Sequence, residues 1–433
     1  MASTDRPLHA DARRALPRTR GFDNTLALLS EGYCFMTRRF ATLGGDAFIT
    51  RLMLRRALCV RGEDAARMFY QPGRFTRRGA LPLTALTLLQ DFGSVATLDG
   101  DMHRQRKEMF MGLFGPLERQ RLAQLVEAQW RTRFARWEAD PQARVAVHEE
   151  AQHVLCRAAC EWVGIPPLED DDAARRTREF AAMIDCAGSA GPRNWHAQLL
   201  RHRTEAWARA LVDAVRAGRI QPPADSALSI LARHRDADGT PINRRHAGVE
   251  LLNLLRPAVA VARFIAFGVL ALHEHPQARA RIAAGDDAYA LWFAQEVRRF
   301  YPFFPAVGGR ALHAFDWNGM RIEKGNWVLL DLYGTNHDPA IWGDPGVFRP
   351  ERFDKRESSG FDLVAQGGGD HHANHRCPGE SSTVDLLVSA LKLFAGAIAY
   401  TVPPQDLSIN LRRMPTLPAS GMVIERVKVR PIG

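Results

Sequence analysis

Apolar side chains return at three- and four-residue intervals along most of this chain. Leu122, Leu125, Val126, Trp130, Phe134 and Trp137 mark one face of a helix spanning 118–138. The same spacing predicts helices over 149–163, 173–186, 195–218, 245–274 and 380–398, separated by proline and glycine punctuation at "VGIPP", "GRIQPPADS" and "ADGTP". Strand-like segments are few. "DAFITRLML" and "ALCV" precede a helical "GEDAARMFY", and within 311–332 short strands flank Asn318-Gly319, a two-residue hairpin signal. No internal repeat and no long linker divides the chain. The pattern predicts a mainly α fold with a small antiparallel β component, organised as a single domain over 1–433.

One helix breaks its own pattern. Leu251 to Leu272 is almost continuously apolar, yet "NLLRPAVAVARF" sets Arg256 beside Pro257. Proline deletes a backbone donor and crowds the carbonyl of Asn253, at about 3 kcal/mol or more inside a helix. Arginine cannot shed its charge, and burying it without a partner is costlier still. Either an internal carboxylate pairs with Arg256, or an anion from outside comes to meet it. Arg256, Pro257 and Arg263 also mark this run as a core helix rather than a membrane span.

Composition narrows the classes. With 46% hydrophobic and 24% charged residues, the chain has an ordinary soluble balance. Its net charge of +10 is spread without a long basic block or an aromatic-basic repeat. Nucleic acid is therefore not an expected partner, although the excess favours anionic substrates. Cys34, Cys59, Cys156, Cys160, Cys186 and Cys377 form no close-set framework, and Cys156 and Cys160 suit buried, reduced positions on one helix. The opening "MASTDRPLHADARRALPRTRG" has no apolar core, so a cytoplasmic protein without signal or anchor is expected.

Three motifs follow in order. "QEVRRFYP" holds Glu296 and Arg299 three apart on a helix; "NHDPAIWGDPGVFRPERF" is an irregular, proline- and aromatic-rich stretch; "GGGDHHANHRCPGE" places Cys377 between a glycine-rich loop and a new helix. Singly each is weak. Together, in this order, they resemble the cytochrome P450 superfamily of haem-thiolate enzymes over nearly the whole chain. The cysteine loop departs from the general pattern: Ala373 replaces the glycine expected four before the cysteine, His375 stands two before it, and Arg376 adjoins it. The long glycine-rich loop, "EVRRFYPFFPAV" and the Arg-Pro pair resemble the bacterial fatty-acid peroxygenases, including their α-hydroxylating members.

The resemblance implies Cys377 as axial thiolate of haem b, Glu296 and Arg299 with Arg352 of "PERF" as a structural ion-pair set, and His103, Lys107, Arg77 and Arg376 around the haem. A thiolate at a helix start, facing backbone donors, has its charge stabilised, and its electron donation favours O–O heterolysis. Ordinary members place an acid and an alcohol in the long helix about forty residues before Glu296. "AGVEL" begins too early, with Glu250 46 residues before Glu296 and Leu251 in place of threonine; Arg256-Pro257 occupies the expected place. The resemblance therefore implies that Arg256 binds a fatty-acid carboxylate, that Pro257 opens space above the haem, and that hydrogen peroxide is the oxidant with no redox partner. Phe303, Phe304 and Val307 are expected along the substrate channel, and Ala96 where decarboxylating members carry histidine. The implied activity is hydroxylation of long-chain fatty acids at the α carbon, with some β product. The alternatives are a conventional NAD(P)H-dependent monooxygenase of an acidic substrate, a decarboxylase forming terminal alkenes, or a non-catalytic haem sensor.

Overall fold

A computed structural model describes residues 16–431 except 237. The expectation for the N-terminal segment falls largely on residues 1–15, outside the described ones. Long helices dominate: Pro116–Ala139, Val147–Trp162, Asp170–Asp185, Pro192–Arg216, Arg244–Ala260, Ala262–Glu274, Asp287–Phe300 and Glu380–Lys392. Their ends obey local rules. Pro116 takes the first turn of its helix with Glu118, and three aspartates open Asp170–Asp185, where the exposed N–H groups favour negative charge. Leu122, Val126, Trp130, Phe134 and Trp137 are buried at successive turns of the first, as the spacing predicts.

The apolar run from Arg244 to Glu274 lies at the centre and is long and apolar enough to cross a membrane by length alone. In its most apolar window, 89% of residues are buried within the fold. It is interrupted one turn beyond Pro257, at Val261, whose N–H reaches back three residues to Ala258 (3.2 Å). The chain passes through Pro257 as helix, and the interruption comes at Val261, where the turn is tightened.

The sheets are small. The largest has the strand order Ala47–Leu52, Arg55–Val60, Trp327–Asp331, Ala306–Ala311, Phe75–Thr76. Its pairs are antiparallel except Arg55–Val60 with Trp327–Asp331, which run parallel from Ala57↔Trp327 to Val60↔Leu330. That pairing departs from the purely antiparallel expectation. Parallel neighbours need a long crossover, which leaves no turn signature in the sequence between them. Asn318 and Gly319 both take positive φ, 48° and 73°, closing the expected hairpin between Phe315–Trp317 and Met320–Ile322. The helix from Glu380 ends at Lys392, and a wide five-residue turn leads into the strand Ile398–Thr401. That strand pairs with Val423–Val429, which also pairs with Arg144–Ala146. All six cysteines are free, with Cys156 and Cys160 buried.

Candidate active site

A cavity of about 340 Å³ lies under the interrupted helix. Asn253, Arg256, Pro257, Val261 and Phe264 line it from that helix, Val307 and Gly308 from a strand, and Gln366, His375 and Cys377 from the glycine-rich loop. Cys377 sits three residues before the helix Glu380–Lys392. Its N–H donates to the Gln366 carbonyl (3.1 Å), and its Sγ is 3.8 Å from Gln366 Nε2. Burial and the nearby Glu380 carboxylate push its thiol pKa up, opposed by the Gly379 amide, Lys107 and Arg298. The chain alone therefore does not favour the thiolate; a bound metal centre would supply the balancing charge.

Basic groups crowd one side of the cavity. Arg77 and Lys107 are 8% and 2% exposed, so neither is a solvated surface charge. Arg77 Nη1 donates to the Gly308 carbonyl (2.7 Å), and Lys107 Nζ to the carbonyls of Asn374 (3.1 Å) and Arg376. His103 and His375 stack at 4.1 Å between ring centroids. Burial lowers His103 to about 4, with Lys107 and Arg77 adding to the shift, and takes His375 well down, with Arg77 adding; burial lowers Lys107 to about 8 against the pull of Cys377 and Asp370. Among the described residues no carboxylate forms a salt bridge with Arg77, His103, Lys107 or His375. A buried cationic rim beside a cysteine suits a flat dianionic cofactor whose carboxylates finish at that rim, which is the chemistry of haem. Arg376 lines the cavity with these basic residues. Its guanidinium is committed to Glu380 (2.6 Å) and the Gly369 carbonyl (2.9 Å), so it braces the loop. Burial alone would raise Glu380, but Arg298, His371 and Arg376 hold it well below the usual carboxylate range.

Across the cavity stands Arg256, 7% exposed. Its Nη1 lies 3.3 Å from Asn253 Oδ1 and 3.4 Å from the Leu88 carbonyl, and no aspartate or glutamate among the described residues pairs with it. Burial, then repulsion by Arg201, takes its pKa well down. The internal-carboxylate alternative thus fails. Glu250 of "AGVEL" points elsewhere, to Arg106 (2.9 Å) and the Val95 amide (2.7 Å), and does not line the cavity. Ala96, Pro257, Phe303, Phe304 and Val307 all line it. Phe303 stacks on Phe264 at 4.6 Å, while Phe304 is 38% exposed.

Behind the loop, Glu296 takes both Arg299 donors at 2.7 Å, Arg352 Nε at 3.2 Å and the Arg349 amide at 2.8 Å, with Glu296 and Arg299 fully buried. Three positions escape a reading from spacing alone. Asn253, Gln366 and Glu380 are ordinary polar residues in sequence, and only their placement three residues from Arg256, opposite the Cys377 sulfur, or three residues past it hints at their contacts.

The buried histidines set an acid dependence. Burial lowers His148 to about 3 and His337 to about 4, as it does His103. Each is depressed below its unfolded value near 6.5, so each contributes stability that is full above that pH and lost as pH falls toward 4. Asp331, raised by burial to about 7, works in the opposite sense, regaining stability as pH falls below 7. Three groups outweigh one. Urea midpoints of the haem-free protein should therefore fall steadily from pH 6.5 to pH 4; a flat or rising series would contradict this.

The family model described as Cytochrome P450 matches residues 288–381. A mutant of cytochrome P450SP alpha superimposes with a TM-score of 0.91 at 44% identity, covering 95% of this chain and 100% of that one. Cytochrome P450EX alpha, solved with myristic acid, gives 0.92 at 38% identity over 96% of this chain and 100% of that one. A substituted cytochrome P450 OleT, in complex with arachidonic acid, gives 0.93 at 35% identity over 97% and 100%. Curated relatives are matched over less than half their length, 42% and 32% in the first two.

Proposed function

This chain belongs to the cytochrome P450 family, and from that premise we propose that it hydroxylates long-chain fatty acids at the α carbon, with some β product, using hydrogen peroxide. The observation that carries the proposal is Arg256: a buried guanidinium with no acidic partner among the described residues, facing an apolar cavity that ends at Cys377. Myristic and arachidonic acids bound in similar structures support a fatty-acid ligand.

Cys377 would hold the family's haem and Arg77, His103 and Lys107 would meet its carboxylates; when bound, it would supply the oxidising chemistry. Arg256 binds the substrate carboxylate, and its planar fork fixes both oxygens where the apolar walls exclude water. That places the first two carbons of the chain toward the Cys377 end, with Phe303, Phe304 and Val307 along the tail. A carboxylate so held can take a proton from peroxide and return it to the departing oxygen, a role for which the chain offers no acid–alcohol pair of its own. Glu250 is occupied by Arg106, and Ala96 offers no imidazole, which favours hydroxylation over alkene formation. We further infer one haem-binding unit over the chain, needing no redox protein and working in the cytoplasm.

The test is direct. Purified haem-loaded protein, hydrogen peroxide and myristic acid, without reductase, should yield 2-hydroxymyristic acid. Product formed only with NAD(P)H and redox proteins would assign the conventional monooxygenase reaction instead.

A further inference from the structure

Arg256 is linked to a carboxylate, Glu250, through a single amide. Glu250, Asn253 and Arg256 lie at successive three-residue steps along one face of the helix Arg244–Ala260. Asn253 stands between the two charges. Its Nδ2 donates to Glu250 Oε2 at 3.0 Å, and its Oδ1 accepts from Arg256 Nη1 at 3.3 Å. An amide is neutral and two-faced: it satisfies a carboxylate with its nitrogen and a guanidinium with its oxygen at once. On the far side of Glu250, Arg106 takes the other oxygen at 2.9 Å, and the Val95 amide shares it at 2.7 Å. Glu250 is thereby saturated without Arg256.

We propose that Asn253 is a positioning residue that keeps Arg256 electrically unspent by separating it from Glu250. This deepens the proposed function and rests on the binding of a carboxylate by Arg256. Without a polar spacer, a buried arginine one helical turn and a half from a buried glutamate would gain by closing on it, because each charge lacks solvent. The amide removes that gain on both sides. It also holds Nη1 in place, leaving the rest of the fork to the incoming acid. A second anchor acts from outside the helix. The Leu88 carbonyl accepts from Arg256 (3.4 Å) and from Arg201 (3.2 Å), and Arg201 pairs with Glu205 at 2.8 Å.

Two substitutions separate charge from shape. Asn253→Asp is nearly isosteric and puts a carboxylate where the amide oxygen meets Arg256. Asn253→Leu removes the hydrogen bonds and adds no charge. Binding of myristic acid to the haem-loaded protein is followed by the haem absorption change, with imidazole binding as a neutral control. The expected result is a loss of myristate affinity of roughly 30-fold in Asn253→Asp, the scale on which a buried charge pair is worth. Asn253→Leu, which removes the spacer and frees Arg256 to close on Glu250, should lose affinity on the same scale, adding Glu250→Gln should restore most of it, and imidazole affinity should hold throughout. Wild-type myristate affinity in Asn253→Leu, or a loss there that Glu250→Gln does not reverse, would overturn the separator role. Failure of the wild-type protein to bind myristate at all would instead overturn the proposed function beneath it.

Discussion

Arg256→Leu should yield a protein that folds, takes up haem and keeps its thiolate-ligated spectrum, yet hydroxylates myristic acid at least about 100-fold more slowly. Two effects add. The guanidinium is the fixed cation of an apolar cavity, and losing a desolvated charge-assisted pair costs about 2–5 kcal/mol. Misplacing the reacting carbons by about an ångström costs a further large factor in rate. Stability should move the other way. Arg256 is buried with no acidic partner among the described residues, so leucine should raise the unfolding free energy of the haem-free protein, read from urea titrations, by about 1 kcal/mol or more. Lost activity with lost stability would mean that Arg256 serves the fold. Retained activity would remove the proposed function.

The opposite pattern is expected at Glu296. Glu296→Ala leaves Arg299 and Arg352 facing each other, buried, with no anion between them. Breaking a buried pair from one side costs about 3–5 kcal/mol. Arg299 also donates to the carbonyls of Asn336 and Pro345, both at 3.0 Å, so its displacement would loosen the irregular segment that leads into the cysteine loop. Thermal melts of the haem-free chain and the haem content after purification should both fall sharply. A variant within about 1 kcal/mol of wild type that retains full haem would show the set to be dispensable.

Much of this was legible before any coordinates. The long helices declared themselves because one buried face repeats the 3.6-residue period, as Trp130 and Phe134 do. Arg256 declared itself because a charge and a proline both violate that period in the most apolar helix. Asn253 did not, since its whole significance lies in what stands three residues to either side. The hold of Arg376 on Glu380 was equally hidden, because nothing in the spacing tells which carboxylate an arginine beside the cysteine meets. The parallel strand pair left no trace either, because pairing across hundreds of residues has no local pattern to show.

That pair bears on how the protein comes to exist. Ala57 waits for Trp327, some 270 residues later in synthesis, before its edge is satisfied. Helices in between can collapse as they emerge, but the wall of the cavity that carries Val307 and Gly308 cannot seat until the last third of the chain has left the ribosome. An open strand edge for that long is a template for wrong partners. Slowing elongation or holding nascent chains on a chaperone should therefore change the yield of soluble protein more than any substitution in the helical half.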